Sequence, residues 1–176
     1  MALSVREIEL RDIDLLLDYW YNSSEEHFLK MGADIHKLPK RNEFHSILEQ
    51  QIKTPIQERK SYALIWEENG VQIGHTNANS ILFGKEAFMH LHVWNTTNRR
   101  KGSGVELVKK SLPFYFKNLQ IETLFCQPYA LNPAPNKTLE KVGFEFVKEY
   151  VTIPGTINFE QKVNLWKMTR KQFISS

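Results

Sequence analysis

Apolar and polar positions alternate over residues 86–94 with the period of a strand. Ala87, Met89, Leu91 and Val93 fall on one face, and Phe88, His90, His92 and Trp94 on the other. The first face is aliphatic and suits a core. The second is aromatic and polar and suits the wall of a cleft. Helical spacing marks three segments before it. Ile13, Leu16, Leu17 and Trp20 follow Asp12, which reads as their N-cap; Ser23 with Glu26 resembles a capping box, with Gly32 as the stop; and Phe44, Ile47 and Leu48 share one face over 40–53. Residues 4–10 predict a short strand, and 62–67 and 71–78 a hairpin turning at Asn69-Gly70. Val105, Val108, Leu112 and Phe116 predict a helix over 103–119, in which Pro113 frees the carbonyl of Lys109 and predicts a kink. Strands near 122–127, 145–152 and 163–169 and a helix near 134–142 complete a mixed α/β pattern. No repeat or linker divides it, so residues 1–176 read as a single domain.

Composition excludes several classes. With 41% hydrophobic and 24% charged residues the chain buries a core and is not disordered. A net charge of +3 with no basic stripe points away from a nucleic-acid partner. Cys126 is the single cysteine, which removes intrachain disulfides and multi-cysteine zinc sites. His27, His36, His45 and His75 lack metal-ligand spacing to a carboxylate, so no metal is expected. The first residues carry no signal-peptide pattern, and no apolar run approaches the ~20 residues that span a bilayer. A cytoplasmic protein with no membrane association is the expectation.

The segment between the strand at 86–94 and the helix at 103–119 carries the first chemistry. Arg99, Arg100 and Lys101 precede Gly102-Ser103-Gly104, and a helix opens directly afterwards. Glycines let backbone N–H groups turn in against a ligand, and the first N–H groups of a helix lack internal partners. With the helix dipole and three cations, this makes an anion site suited to a phosphate or pyrophosphate; a glycine turn with a solvated basic face is the plainer reading. It is not a P-loop, because the G-x-x-x-x-G-K-[ST] spacing is absent, and it lacks the third glycine of the dinucleotide fingerprint, position 107 being leucine.

Arg99-x-x-Gly102-x-Gly104 resembles the R/Q-x-x-G-x-G/A signature of the GNAT superfamily of acyl-CoA N-acyltransferases. Asn132-Pro-Ala-Pro-Asn-Lys-Thr-Leu-Glu140-Lys141-Val-Gly143-Phe144 resembles the second shared block, most like the branch that acetylates ribosomal-protein N-termini. The resemblance covers about residues 4 to 170. It implies a three-layer α/β/α fold, a mostly antiparallel sheet with splayed central strands, and acetyl-CoA lying in the gap between 86–94 and 122–127. It further implies that backbone groups of His92, Val93 and Trp94 bond the pantetheine arm, and that N–H groups from Arg100 through Val105 cradle the pyrophosphate. Asn132 would contact the pantetheine or thioester region; Lys137 would reach the adenosine 3′-phosphate, or stand as a solvated lysine. A monomer or a homodimer fits equally.

The implied reaction is direct attack of a primary amine, on a protein N-terminus or a small molecule, on the thioester. Family positions for an acid or base hold Gln127, Leu139 and Pro135 here. His90 and His92 substitute, two imidazoles on one strand face, similar to the His-x-His pair of the arylalkylamine acetyltransferases; histidine has an ordinary pKa near ~6.5. Structural histidines are the alternative. Tyr129 is the next candidate, as the acid that protonates the thiolate, or as a packing residue. Missing family acids leave a catalytically silent acyl-CoA-binding module as the competing function. Residues 1–50 hold ten acidic and six basic side chains, the remainder ten and seventeen. An acidic acceptor wall would attract a cationic amine, though ordinary surface charge explains the same count.

Overall fold

The computed structural model describes residues 2–94 and 102–176. Among these, β1 (Leu3–Glu7), α1 (Ile13–Asn22), α2 (Glu25–Lys30), α3 (Arg41–Lys53), β2 (Tyr62–Glu68), β3 (Val71–Leu82), β4 (Glu86–Val93), α4 (Ser103–Asn118), β5 (Thr123–Cys126), α5 (Pro133–Val142), β6 (Glu145–Thr152), β7 (Gln161–Thr169) and α6 (Arg170–Ile174) follow in order. All seven strands join one sheet, ordered β1-β2-β3-β4-β5-β7-β6. Every neighbouring pair is antiparallel except β4 and β5, which run parallel. This is the expected mixed α/β architecture with a mostly antiparallel sheet.

Helices cover both faces of the sheet. One core joins Leu64, Trp66, Ala87, Met89 and Leu124 of the strands to Leu107, Val108, Leu112, Tyr115 and Phe116 of α4 and Leu139 and Val142 of α5. The other joins Ala63 and Ile65 to Ile13, Leu16, Leu17 and Trp20 of α1, Phe28 of α2 and Leu48 of α3. The alternation read in 86–94 thus sorts correctly. Ala87 and Met89 are buried, with Leu91 and Val93 packed beside them, against α4. Burial at these positions is what fixes the strand's register, since a one-residue slip would turn the histidines into the aliphatic core.

Local starts and stops differ from the pattern in two places. Asp12 stands at the N-cap position of α1 as expected, but its side chain makes no cap bond to that helix. It closes a 3₁₀ turn over Leu10–Asp12, where its carboxylate accepts the Glu9 N–H at 2.8 Å and pairs bidentately with Arg6 at 2.7 and 2.8 Å. Ser24, not Ser23, caps α2 and accepts the His27 N–H at 3.2 Å, whereas the Ser23 hydroxyl bonds back to the Tyr19 carbonyl. Adjacent serines compete for one cap, and the residue with extended backbone next to the helix takes it. The Asn69-Gly70 turn forms as expected, with φ of 52° and 78°, both left-handed. Helix α4 runs through Pro113 to Asn118. No helix among the described residues is long and apolar enough to cross a membrane.

Candidate active site

β4 and β5 part at the centre of the sheet. Their parallel pairing runs from Glu86–Thr123 to Met89–Cys126 and ends there, while β4 continues through His90, Leu91, His92 and Val93. That stretch keeps its bonds to β3 on one side and has no strand on the other. Backbone groups facing such a gap need a partner. A buried relay pins the departure point. The Tyr115 hydroxyl lies 2.9 Å from Thr76 Oγ1, and Thr76 donates to the His90 carbonyl at 2.7 Å. Gly74 lies across from Val93, and a Cβ there would sit 2.5 Å from the His92 carbonyl oxygen. Close backbone approach at the end of β4 therefore requires glycine.

The gap opens into a cleft of about 500 Å³ on the α1–α3 side. Its walls include Trp20, Phe44, the β4 histidines, Gln127, Tyr129 and the segment 154–158. His75 of β3 joins the two expected imidazoles. It stacks on His92 with ring centroids 4.6 Å apart and planes 20° from parallel. Trp94 Nε1 donates to His75 Nδ1 at 2.7 Å, which places the proton of a neutral His75 on Nε2. The Tyr19 hydroxyl lies 3.3 Å from His92 Nδ1 and 2.9 Å from His27 Nε2, with the weaker acceptor Met31 Sδ at 3.7 Å. His90 Nε2 is buried and lacks a hydrogen-bond partner among the described residues. An orphaned buried nitrogen aimed into a cleft is costly unless a ligand or water meets it.

Burial sets the electrostatics. It pushes His75 down to about 3 and His90 to about 4, and His92 also falls well below the ordinary range, pressed further by its imidazole neighbours. All three are neutral at pH 7. Cys126, at the end of β5, is pushed up to about 12 by burial and stays a thiol.

The remaining candidates fall on either side of the gap. Gly102 caps α4 with φ of 96°, a left-handed conformation suited to glycine, and a Cβ added at Gly104 would lie 3.7 Å from Thr138 Oγ1 of α5. Ser103 and Val105 lie in the first turn of α4, Val105 packed against the core. Arg99, Arg100 and Lys101 lie outside the described residues. Asn132 caps α5 and lines the cleft, and its carbonyl accepts the Asn136 amide at 2.8 Å. Lys137 is exposed on α5. Tyr129 bridges to Val163 and meets Phe159 edge-on at 5.8 Å, with its ring at the cleft. Val93 packs on the α4 side and Trp94 on the α1 side. Of the vacant family positions, Leu139 is buried in the core, Pro135 lines the cleft, and Gln127 accepts the Tyr150 hydroxyl.

Sequence reasoning missed Tyr19, His27 and His75 as parts of this cluster. Tyr19 stands one position off the apolar helical stripe. His75 meets His92 only through the β3–β4 register, which no turn motif in the sequence specifies. The acidic wall also failed to form. Asp12 pairs with Arg6, Asp14 and Asp18 with Arg41, Glu26 with Lys30 and Glu49 with Lys53, all away from the cleft lining.

The chain matches the family model of the acetyltransferase (GNAT) domain over residues 2–145. No curated protein matches it in sequence. Among solved structures it is similar to the spermidine N-acetyltransferase of Vibrio cholerae in complex with CoA and spermine, at 16% identity, TM-score 0.78 and 98% coverage of both chains. It is also similar to the ribosomal L7/L12 α-N-protein acetyltransferase RimL in complex with CoA, at 13% identity and TM-score 0.77, covering 98% of this chain and 96% of that one. An aminoglycoside acetyltransferase in complex with coenzyme A matches at 17% identity and TM-score 0.73, with 99% of each chain covered.

Proposed function

The chain belongs to the GNAT acetyltransferase family, and from that premise we propose that it moves the acetyl group of acetyl-CoA onto a primary amine by direct attack on the thioester. The parting of β4 from β5 carries this reading. It leaves the backbone of His90–Val93 free on one side, beside the α4 N-terminus and a cleft of neutral imidazoles. The pantetheine arm would lie in that gap against the backbone of His92, Val93 and Trp94, of which the Trp94 N–H is already given to the Ile73 carbonyl at 2.9 Å. Gly102, Ser103, Gly104 and Val105, with Arg99, Arg100 and Lys101, would hold the pyrophosphate. Asn132 and Lys137 would serve the pantetheine and the 3′-phosphate. Acetyl-CoA supplies the activated acyl group; the chain's residues orient the amine and move protons. A cytoplasmic location suits a single buried thiol and this cosubstrate.

His92 is placed to accept the proton of the attacking nitrogen. A charge on this desolvated ring is unfavourable, and Tyr19 offers an exit. In one consistent set of tautomers His92 Nδ1–H donates to the Tyr19 oxygen while Tyr19 donates to His27 Nε2, so the charge settles on His27, which is partly exposed. His90 Nε2, unpartnered, would hold the acceptor nitrogen or a water. Backbone N–H at the end of β4 would stabilise the oxyanion, and Tyr129 would return a proton to the CoA thiolate as the C–S bond breaks. His90→Ala with His92→Ala keeps the backbone contacts and removes both imidazoles. Acetyl transfer to an amine panel should then fall by ~10²–10⁴ with CoA affinity kept. The competing silent CoA-binding module draws on the depressed histidines and the neutral cleft. Tight CoA binding by the wild type with no turnover on any amine would establish it instead.

A further inference from the structure

The cleft carries a feature that neither the family nor its structural neighbours assign to this chain. Among the described residues, no Asp, Glu, Lys or Arg lines it. Residues 95–101, outside the description, read Asn-Thr-Thr-Asn-Arg-Arg-Lys and so bring no carboxylate. The wall facing β4 is built instead from Trp20, Phe44, Ile47 and Leu48, with Ile157 on the opposite rim. The acids of α1–α3 that pair do so with Arg41, Lys30 and Lys53 on outer surfaces.

From this, and resting on the acetyl-transfer reading, we infer that the acceptor is a small monoamine on an aromatic or otherwise apolar body, not a polyamine or an amino sugar. Polyamines and aminoglycosides carry several ammonium groups at neutral pH. Each would enter this cleft without an anionic partner, and an unpaired buried cation is strongly disfavoured. A monoamine has one nitrogen to satisfy, and that nitrogen is the one that reacts. The unpartnered His90 Nε2 and the His92 ring, which Tyr19 and His27 back from behind, supply polar groups for a single amine. Trp20, Phe44, Ile47, Leu48 and Ile157 offer apolar surface for the rest, beside neutral side chains such as Asn77, Asn79 and Gln127 that bring no anion. The β6–β7 segment closes the far side. The Asp34 N–H donates to the Ile157 carbonyl at 2.8 Å, Asn158 Nδ2 to the Gly32 carbonyl at 2.9 Å, and Lys37 Nζ to the Asn158 carbonyl at 2.8 Å. This strap walls one side of a partly open cleft of about 500 Å³, which favours a small body over an extended peptide.

The test compares tryptamine, phenethylamine, spermidine, kanamycin and an Ala-Ser-initiated peptide by release of CoA thiol. It also measures the melting shift each produces with the CoA-loaded protein. The aromatic monoamines should exceed spermidine and kanamycin at least ten-fold in kcat/KM and should alone raise the melting temperature of the CoA complex. Ile47→Glu, at a half-exposed wall position, should lower the aromatic activity and admit spermidine. Equal or better turnover of spermidine or kanamycin overturns the inference and leaves acetyl transfer standing. A ten-fold preference for the peptide overturns the small-molecule assignment. A melting shift by tryptamine with no turnover of any amine upholds the cleft's chemistry and sinks the catalytic reading.

Discussion

At the scale of residues, the site is a problem of where one proton goes. Three imidazoles crowd a space that burial makes hostile to charge, so none of them is a good resting place for it. Tyr19 gains meaning from that constraint, because its hydroxyl touches both a buried and a more open histidine. Tyr19→Phe keeps the ring that packs against Trp20 and His92 but cuts the chain of hydrogen bonds. Turnover should fall ten- to hundred-fold, less than the ~10²–10⁴ of a complete proton-transfer contribution, because His92 itself remains. KM for acetyl-CoA should stay unchanged, and the pH–rate profile should change shape once the Tyr19 hydroxyl no longer links His92 to His27. An unchanged profile with reduced kcat would make Tyr19 a packing residue only.

Elements place that chemistry. β4 serves two masters: its even pairing with β3 holds the aliphatic face on α4, and its unpaired end past Met89 opens the gap. Gly74 on β3 is where these demands meet, since any side chain there strikes the His92 carbonyl. Gly74→Ala should cost ~1–3 kcal/mol by overpacking, read from urea unfolding. It should weaken CoA binding as well, because the displaced backbone is the proposed pantetheine contact. Loss of stability with CoA affinity untouched would detach β4's end from the cofactor. The element pattern was largely readable beforehand. The 86–94 alternation, the Asn69-Gly70 turn and the helix opening at Ser103 stand where periodicity and turn chemistry put them. The serine cap slipped by one residue because Ser23 and Ser24 are chemically alike and both extended, and only where α1 ends and α2 begins separates them.

Taken as a whole, the molecule stores a pH sensitivity in its cleft. An unfolded histidine titrates near ~6.5, whereas His75 and His90 do so at about 3 and about 4 when folded. The unfolded chain therefore binds more protons below pH ~6.5, and stability must fall as pH drops toward 4. Each group removes about 1.4 kcal/mol per pH unit, so the two remove on the order of 5 kcal/mol between pH ~6.5 and 4.5, against a typical total of ~5–15 kcal/mol. Asp12 acts in the same direction at lower pH. Burial alone would raise its carboxyl, but the Arg6 bonds and the Glu9 N–H win and hold it low. Denaturant midpoints at pH 7 and pH 5 should differ clearly, and equal midpoints would mean that the cleft histidines charge freely. The sequence by itself determined most of the elements, the mixed α/β pattern, the glycine turn and the two motif blocks, because periodicity, turn propensity and motif spacing are local properties; the mostly antiparallel sheet followed from the family resemblance those blocks carry. Only the tertiary structure decided that His75, Tyr19 and His27 join His92, that the acids turn outward, and that residues 154–158 close the cleft. Those facts depend on strand register and on contacts between segments as far as 73 and 126 residues apart, where no local rule chooses among partners of equal chemistry.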